Sequence, residues 1–201
     1  NGGTMTQFYR YWAMPDHKTF SIKPIRELLE IEIVGEEWAD PFARDSKLAK
    51  NTNDINPDTD ATYNMDALDF LKMFDDNSLD GVLYDPPYSL RQIKECYNGL
   101  GKSLTQHDTQ YFFSDMKKEI ARVLKPGGKV ISFGWSSNGI GITLGMELLK
   151  VVLIAHGGIH NDTIITVERK KCLLHLGIVS IIQQDKLRLS DLRQQTTSSV
   201  T

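Results

Sequence analysis

The chain has 201 residues, 40% of them apolar and 24% charged, the profile of one globular domain with enough apolar surface for a core and no room for a second full domain. No stretch approaches the roughly 20 consecutive apolar residues of a bilayer span, and no basic start followed by an apolar run marks a secretory signal, so a cytoplasmic protein without a membrane partner is expected. The formal charge of -3 weighs weakly against a nucleic-acid partner, because phosphate-binding proteins display a basic surplus at least locally.

Asn1 to Thr4 read as a cloning remnant, and residues 1–16 as an N-terminal extension carrying the aromatic run Phe8, Tyr9, Tyr11 and Trp12. Pro24 is placed to open a helix through Arg26, Leu28, Leu29 and Ile31, capped near Ser21 or Lys23. A short strand ending at Trp38 to Asp40 follows, then strands at Thr52 to Asp54 and Tyr63 to Met65, a helix from Ala67 to Phe74, and the strand Gly81 to Tyr84. This alternation implies a mostly parallel sheet covered by helices. Between Thr109 and Leu124 the apolar residues Phe113, Met116, Ile120 and Leu124 recur at helical spacing, and Lys125-Pro126-Gly127-Gly128 stops that helix. Lys129 to Phe133 reads as a buried strand, Thr143 to Leu149 as a helix, and Val151 to Ala155 and Thr163 to Val167 as a closing antiparallel hairpin, for seven strands in all. Residues 171–201 stand apart as a C-terminal tail, apolar over Leu173 to Ile182 and polar beyond. An added helix, a homodimer contact and disorder are all open for it.

Asp85-Pro86-Pro87-Tyr88 directly follows the apolar strand Gly81 to Tyr84, at the edge where open parallel sheets bind ligands. The two prolines withhold N–H donors and stiffen the backbone, leaving a rigid set of acceptors. An exocyclic amine on a nucleobase is a poor nucleophile because its lone pair is delocalised. A carboxylate and a carbonyl that each accept one N–H let that nitrogen turn tetrahedral, an activation made of positioning and electrostatics. Tyr88 offers a flat face for a base that has left the duplex. The plainer reading is a proline turn that ends a strand.

The tetrapeptide resembles the hallmark of the amino-methyltransferases that act on N6 of adenine or N4 of cytosine, and its aspartate-first form resembles the adenine branch. The resemblance extends by motif order over residues 17–170, which it marks as the methyltransferase domain. It implies a Rossmann-like α/β fold, a seven-stranded and mostly parallel sheet with a C-terminal antiparallel hairpin. It also implies S-adenosyl-L-methionine as cofactor, DNA as partner through base flipping, and Asp85, Pro86, Pro87 and Tyr88 as catalytic residues. Trp38 to Ala43 resembles the family's first cofactor motif, which puts Asp40, Pro41, Phe42 and Ala43 at the cofactor, although Arg44-Asp45-Ser46 stands where glycines are usual. Asp54 matches an acidic residue for the ribose hydroxyls, otherwise a turn aspartate. Asp66 matches a position near the adenine ring, otherwise the N-cap of the following helix. Thr19 to Pro24 resembles a further cofactor motif whose functional pair is Lys23 and Pro24.

His156-Gly157-Gly158-Ile159-His160-Asn161 reads as a polar turn without a third metal ligand, so no metal is expected, nor do Cys96 and Cys172 imply a disulfide or zinc. His160 is a candidate contact to the target nucleotide. With no inserted recognition domain, base selection falls to loops such as Ser89 to Gln110, which carries Arg91, Lys94, Lys102 and His107. The small size resembles methyltransferases of phages and of restriction-modification systems. Cytosine-N4, RNA and a protein amide remain alternative acceptors, and a catalytically silent binding module is the alternative from another class.

Overall fold

The computed structural model describes residues 5–99, 106–158 and 160–172. The chain divides after Lys170 into two units, and every described element belongs to the first. In chain order these are β1 (Gln7–Trp12), a 3₁₀ turn (Thr19–Ser21), α1 (Lys23–Glu32), β2 (Trp38–Asp40), β3 (Asn51–Thr52), α2 (Ala67–Lys72) and β4 (Leu79–Tyr84). Then come α3 (Leu90–Gly99), α4 (Gln106–Val123), β5 (Leu124–Gly134), a second 3₁₀ turn (Ile142–Leu144), β6 (Met146–Ala155) and β7 (Thr163–Lys170). Among the described residues no helix is long and apolar enough to cross a membrane.

The strands form one seven-stranded sheet in the order β1-β6-β7-β5-β4-β2-β3. All neighbours are parallel except β7, which runs antiparallel to both β5 and β6. This is the expected Rossmann-like sheet with its closing hairpin. β4 is buried along almost its whole length, as a central parallel strand covered on both faces must be. Alternation along it feeds two cores: Val82 and Tyr84 pack with Phe70, Met116 and Ile120 of α2 and α4, while Leu83 packs with Ile25 and Leu29 of α1. The Met116 and Ile120 stripe is fully buried. Glu32, near the end of α1, ties that helix to the sheet by accepting from Lys129 at 2.8 Å and Lys150 at 2.6 Å.

Several sequence expectations are corrected. Residues 143–149 do not form a helix: Gly145, at φ 80, ends the 3₁₀ turn, and β6 starts at Met146. The string is held extended by non-local pairing, Met146 opposite Lys170 and Glu147 opposite Arg169, whose guanidinium donates to Glu147 at 2.7 Å. Tyr63 to Met65 is not a strand but a single bridge between Tyr63 and Asn53. The Met65 N–H is taken by the Asn53 side chain at 3.1 Å instead of by a strand neighbour. The seventh strand is β1, from the segment set aside as an extension, which pairs with β6 from Gln7–Lys150 to Trp12–Ala155. The N-cap of α1 is Ile22, between Ser21 and Lys23 as expected, and it makes no side-chain capping bond. Much of Ser89 to Gln110 is helical, in α3 and the first turn of α4. Lys102, Ile159 and residues 173–201 lie outside the described residues, as does the side chain of His107.

β2 and β4 lie side by side, Trp38 opposite Gly81 and Ala39 opposite Val82. Their chain connections lead to opposite halves of the sheet, which makes the gap beyond their carboxyl ends the topological switch point where such sheets bind ligands. Gly81 is required here, since a Cβ would overlap the indole of Trp38, itself 1% exposed. Gly81→Ala is expected to destabilise the fold by about 1–3 kcal/mol through overpacking, read as a lower urea midpoint at unchanged m-value.

Candidate active site

At that switch point lies a cavity of about 1280 Å³. Its lining joins five regions: the segment His17 to Ser21 with one face of α1, the turn from Pro41 to Leu48, the loop around Asp54 to Thr59, Ala67 at the start of α2, and Asp85 to Tyr88 with residues of α3 and α4. Asp85, Pro86, Pro87, Tyr88, Pro41, Phe42, Ala43 and Asp54 all line it. Asp40, Asp66, Lys23 and Pro24 are not among the lining residues.

Asp85 begins the loop that leaves β4. Its Oδ1 accepts the Tyr88 hydroxyl at 2.9 Å, and Thr19 faces the same cavity. Burial raises the Asp85 carboxyl to about 6, against the pull of Tyr88, Thr19 and the Arg44 charge. Burial and the adjacent Asp85 charge push the Tyr88 hydroxyl above its usual range, so it stays a donor and its ring is pinned beside the carboxylate.

Asp40 closes β2 beneath the cavity and is fully buried. Its Oδ1 accepts from the Phe42 N–H at 3.0 Å, while Oδ2 has no partner. Burial first, then the charges of Asp85 and Asp54, hold its carboxyl well above the usual range. Asp54 stays at the cavity wall, with Oδ2 accepting from the Arg44 N–H at 3.1 Å and Oδ1 from the Asn56 N–H at 2.9 Å. Each oxygen keeps a lone pair for a further donor.

The turn after β2 resolves the departure at Arg44. This residue takes the left-handed conformation at φ 51, the backbone that glycine adopts without cost and that other residues rarely adopt. Its guanidinium donates to the His17 carbonyl at 3.0 Å, so the side chain a glycine lacks ties two walls of the cavity together. Asn53, fully buried, braces the same turn: its amide donates to the carbonyls of Pro41 and Met65, each at 3.1 Å.

Asp66 is the N-cap of α2, accepting from the N–H groups of Leu68 and Asp69 with one oxygen and from the Tyr97 hydroxyl with the other. Lys23 is exposed and pairs with Glu27 at 3.8 Å, and Pro24 fills the first turn of α1. His156 uses both ring nitrogens within the protein, one with the Ala13 carbonyl at 2.8 Å and one with the Thr163 hydroxyl at 2.9 Å. His160 lies exposed in the same turn.

Thr19, Arg44, Asn53 and Phe112 were not singled out from the sequence. Thr19 and Asn53 fall inside quoted motifs and Arg44 at a noted departure, so a local signal existed for three of them. Phe112 reaches the cavity from α4 and carried none.

No family model matches the chain, and no curated protein matches it. Among solved structures it is similar to TrmN from Thermus thermophilus, at 16% identity and a TM-score of 0.49, over 74% of this chain and 49% of that one. It is similar to the N-methyltransferase NodS from Bradyrhizobium japonicum WM9, at 10% identity and 0.48, over 79% and 100%. A methyltransferase homolog protein from Pyrococcus horikoshii gives 16% and 0.42, over 68% and 62%. The chain thus spans about half the length of TrmN, and the fold assignment rests on its own strand order.

Because the folded state raises the Asp85 carboxyl to about 6, its ionised form opposes folding above that pH, and the opposition fades as pH falls through 6 and the group protonates. Asp85→Asn is therefore expected to raise stability by on the order of 1 kcal/mol at neutral to alkaline pH, with the gain shrinking below pH 6. Chemical denaturation across that range measures it.

Proposed function

We propose that this chain is an S-adenosyl-L-methionine-dependent methyltransferase that acts on the N6 amine of adenine in DNA, presented as a flipped-out base. The observation that carries this reading is the placement of Asp85 and Tyr88 on one cavity with Asp54 and the Pro41 to Ala43 turn. A carboxylate acceptor and a nucleoside-sized site thereby share a single space.

The residues present fit the cofactor. Asp54 has lone pairs free for ribose hydroxyls, Ile55 and Phe112 offer apolar cover for a purine, and Arg44 with Lys47 supplies positive charge for a carboxylate. The volume exceeds the usual upper range of about 1000 Å³ for a small-molecule site, as a site for two reactants should. Lys23, Pro24, Asp40 and Asp66 act at one remove in this reading, by shaping α1, the turn after β2 and α2. When bound, the cofactor supplies a methyl group on an electrophilic sulfonium.

Asp85 accepts one amine N–H, and the stiff Pro86 carbonyl is the candidate for the other, which turns the nitrogen lone pair out of the ring. Tyr88 holds the base flat, its hydroxyl committed to Asp85 so that ring and carboxylate keep their relative position. Ionised Asp85 is the better acceptor and the better counter-charge for the amine as it gains a bond.

The test is transfer of label from tritiated cofactor to unmethylated DNA, with nucleoside analysis of the product. N6-methyladenine is expected, whereas methylcytosine alone rejects the adenine assignment. Stabilisation by the cofactor without transfer to DNA favours the silent binding module or another acceptor. Asp85→Asn is expected to lower turnover by at least about 100-fold, with the cofactor's thermal shift kept. Wild-type turnover should rise with pH through about 6, the Asp85 value, and then level off. A flat profile between about pH 5 and 8 contradicts this role for Asp85.

A further inference from the structure

Tyr88 lines the cavity, but Trp135, which stands nearly perpendicular to it at 5.5 Å between ring centroids and 76° between planes, lies outside that lining. The two rings form an aromatic corner of which one wall, Tyr88, is hydrogen-bonded to Asp85. Trp135 directly follows the last residue of β5, at the carboxyl edge of the sheet, and is 47% exposed. Large apolar area is thereby left open beside Tyr88. The loop that Trp135 begins is anchored from beneath: Glu168 of β7, 2% exposed, accepts the N–H groups of Ile140 at 2.6 Å and Gly141 at 2.9 Å. Gly139, at φ 53, brings the backbone so close that a Cβ would overlap the Glu168 carboxylate. A buried acid thus fixes a loop whose first side chain faces solvent.

We propose that Trp135 is a specificity-determining residue that makes, with Tyr88, a two-walled slot for a flat heteroaromatic ring. The amine admitted to Asp85 then belongs to an unstacked nucleobase and not to the amide of a protein side chain. This deepens the reading of Asp85 as amine acceptor and rests on it. A ring laid on one aromatic wall turns its edge to the other, and both arrangements are favourable for aromatic pairs. A primary amide has no ring to offer either wall. An enzyme that works on a base must also stabilise it after it leaves its neighbours, and stacking on aromatic side chains does so.

The test uses fluorescence anisotropy with a short single-stranded oligonucleotide holding one adenine among thymines, in the presence of S-adenosylhomocysteine, for wild type, Trp135→Ala and Trp135→Phe. Trp135→Ala is expected to weaken oligonucleotide binding by about tenfold or more, and Trp135→Phe by no more than about threefold. KM for the oligonucleotide should follow the binding loss while kcat moves less. The melting temperature and the S-adenosylhomocysteine shift should be unchanged, since the indole is half exposed and outside the cavity. A glutamine-containing peptide should not compete. Binding by Trp135→Ala within about twofold of wild type, no binding by wild type, or competition by the peptide each overturns the slot. Methyl transfer that ignores the alanine variant sinks the slot and leaves the proposed reaction standing. Binding that depends on Trp135 without any transfer does the reverse.

Discussion

Three carboxylates, Asp40, Asp54 and Asp85, gather at the carboxyl ends of three neighbouring strands, β2, β3 and β4, and the local structure is organised by the electrostatic difficulty of keeping them together. The neighbouring Asp85 and Asp54 charges add to burial in raising the Asp40 carboxyl. The chain meets this by keeping Asp40 out of the cavity and by aiming donors at each of the others: backbone N–H groups at Asp54, the Tyr88 hydroxyl at Asp85. A cationic sulfonium ligand of the proposed kind would relieve that repulsion on binding, so acidity that strains the free fold becomes attraction for a cofactor of the opposite sign.

Rigidity around the carboxylates comes from elements far apart in sequence. Arg44 joins the turn after β2 to the segment before α1, and Asn53 joins that turn to Met65. Tyr88 links Asp85 to an aromatic neighbour on the loop after β5, and that loop is in turn held by Glu168 on β7. Each link is one or two hydrogen bonds or a ring contact. Together they let loop residues hold position with the precision usually given by helices and strands.

What could be read from the sequence follows the range of the interactions that decide each element. β2 and β4 are short apolar runs closed by turn chemistry, and the α4 stripe is a periodic local signal, so their places were legible. The string 143–149 is locally compatible with a helix, and only pairing with β7, some twenty residues on, makes it extended. The aromatic run of β1 has no local mark of which sheet edge it joins. In the cavity, Asp85 with its neighbours, Asp54 and the Pro41 to Ala43 turn are legible because each follows a strand and lies in a motif that resembles those of the amino-methyltransferases. Phe112 sits mid-helix and looks like any core aromatic until α4 is docked. Asp66 shows the opposite limit, because a cap and a ligand carboxylate look alike in sequence, and here its oxygens are taken by α2 and Tyr97.

The absent side chain at Gly81 has a reach beyond packing. With the Trp38 indole wedged where a Cβ would stand, this contact acts as a gauge block between β2 and β4, the second and third strands from the β3 edge, and so sets the gap between the acids at their carboxyl ends. A misplacement of about 1 Å at reacting groups can lower a rate about 100-fold. A substitution in the sheet interior, remote from any reactant, can therefore imitate a chemical lesion, and a residue with no functional group shares the tolerance of those that have one.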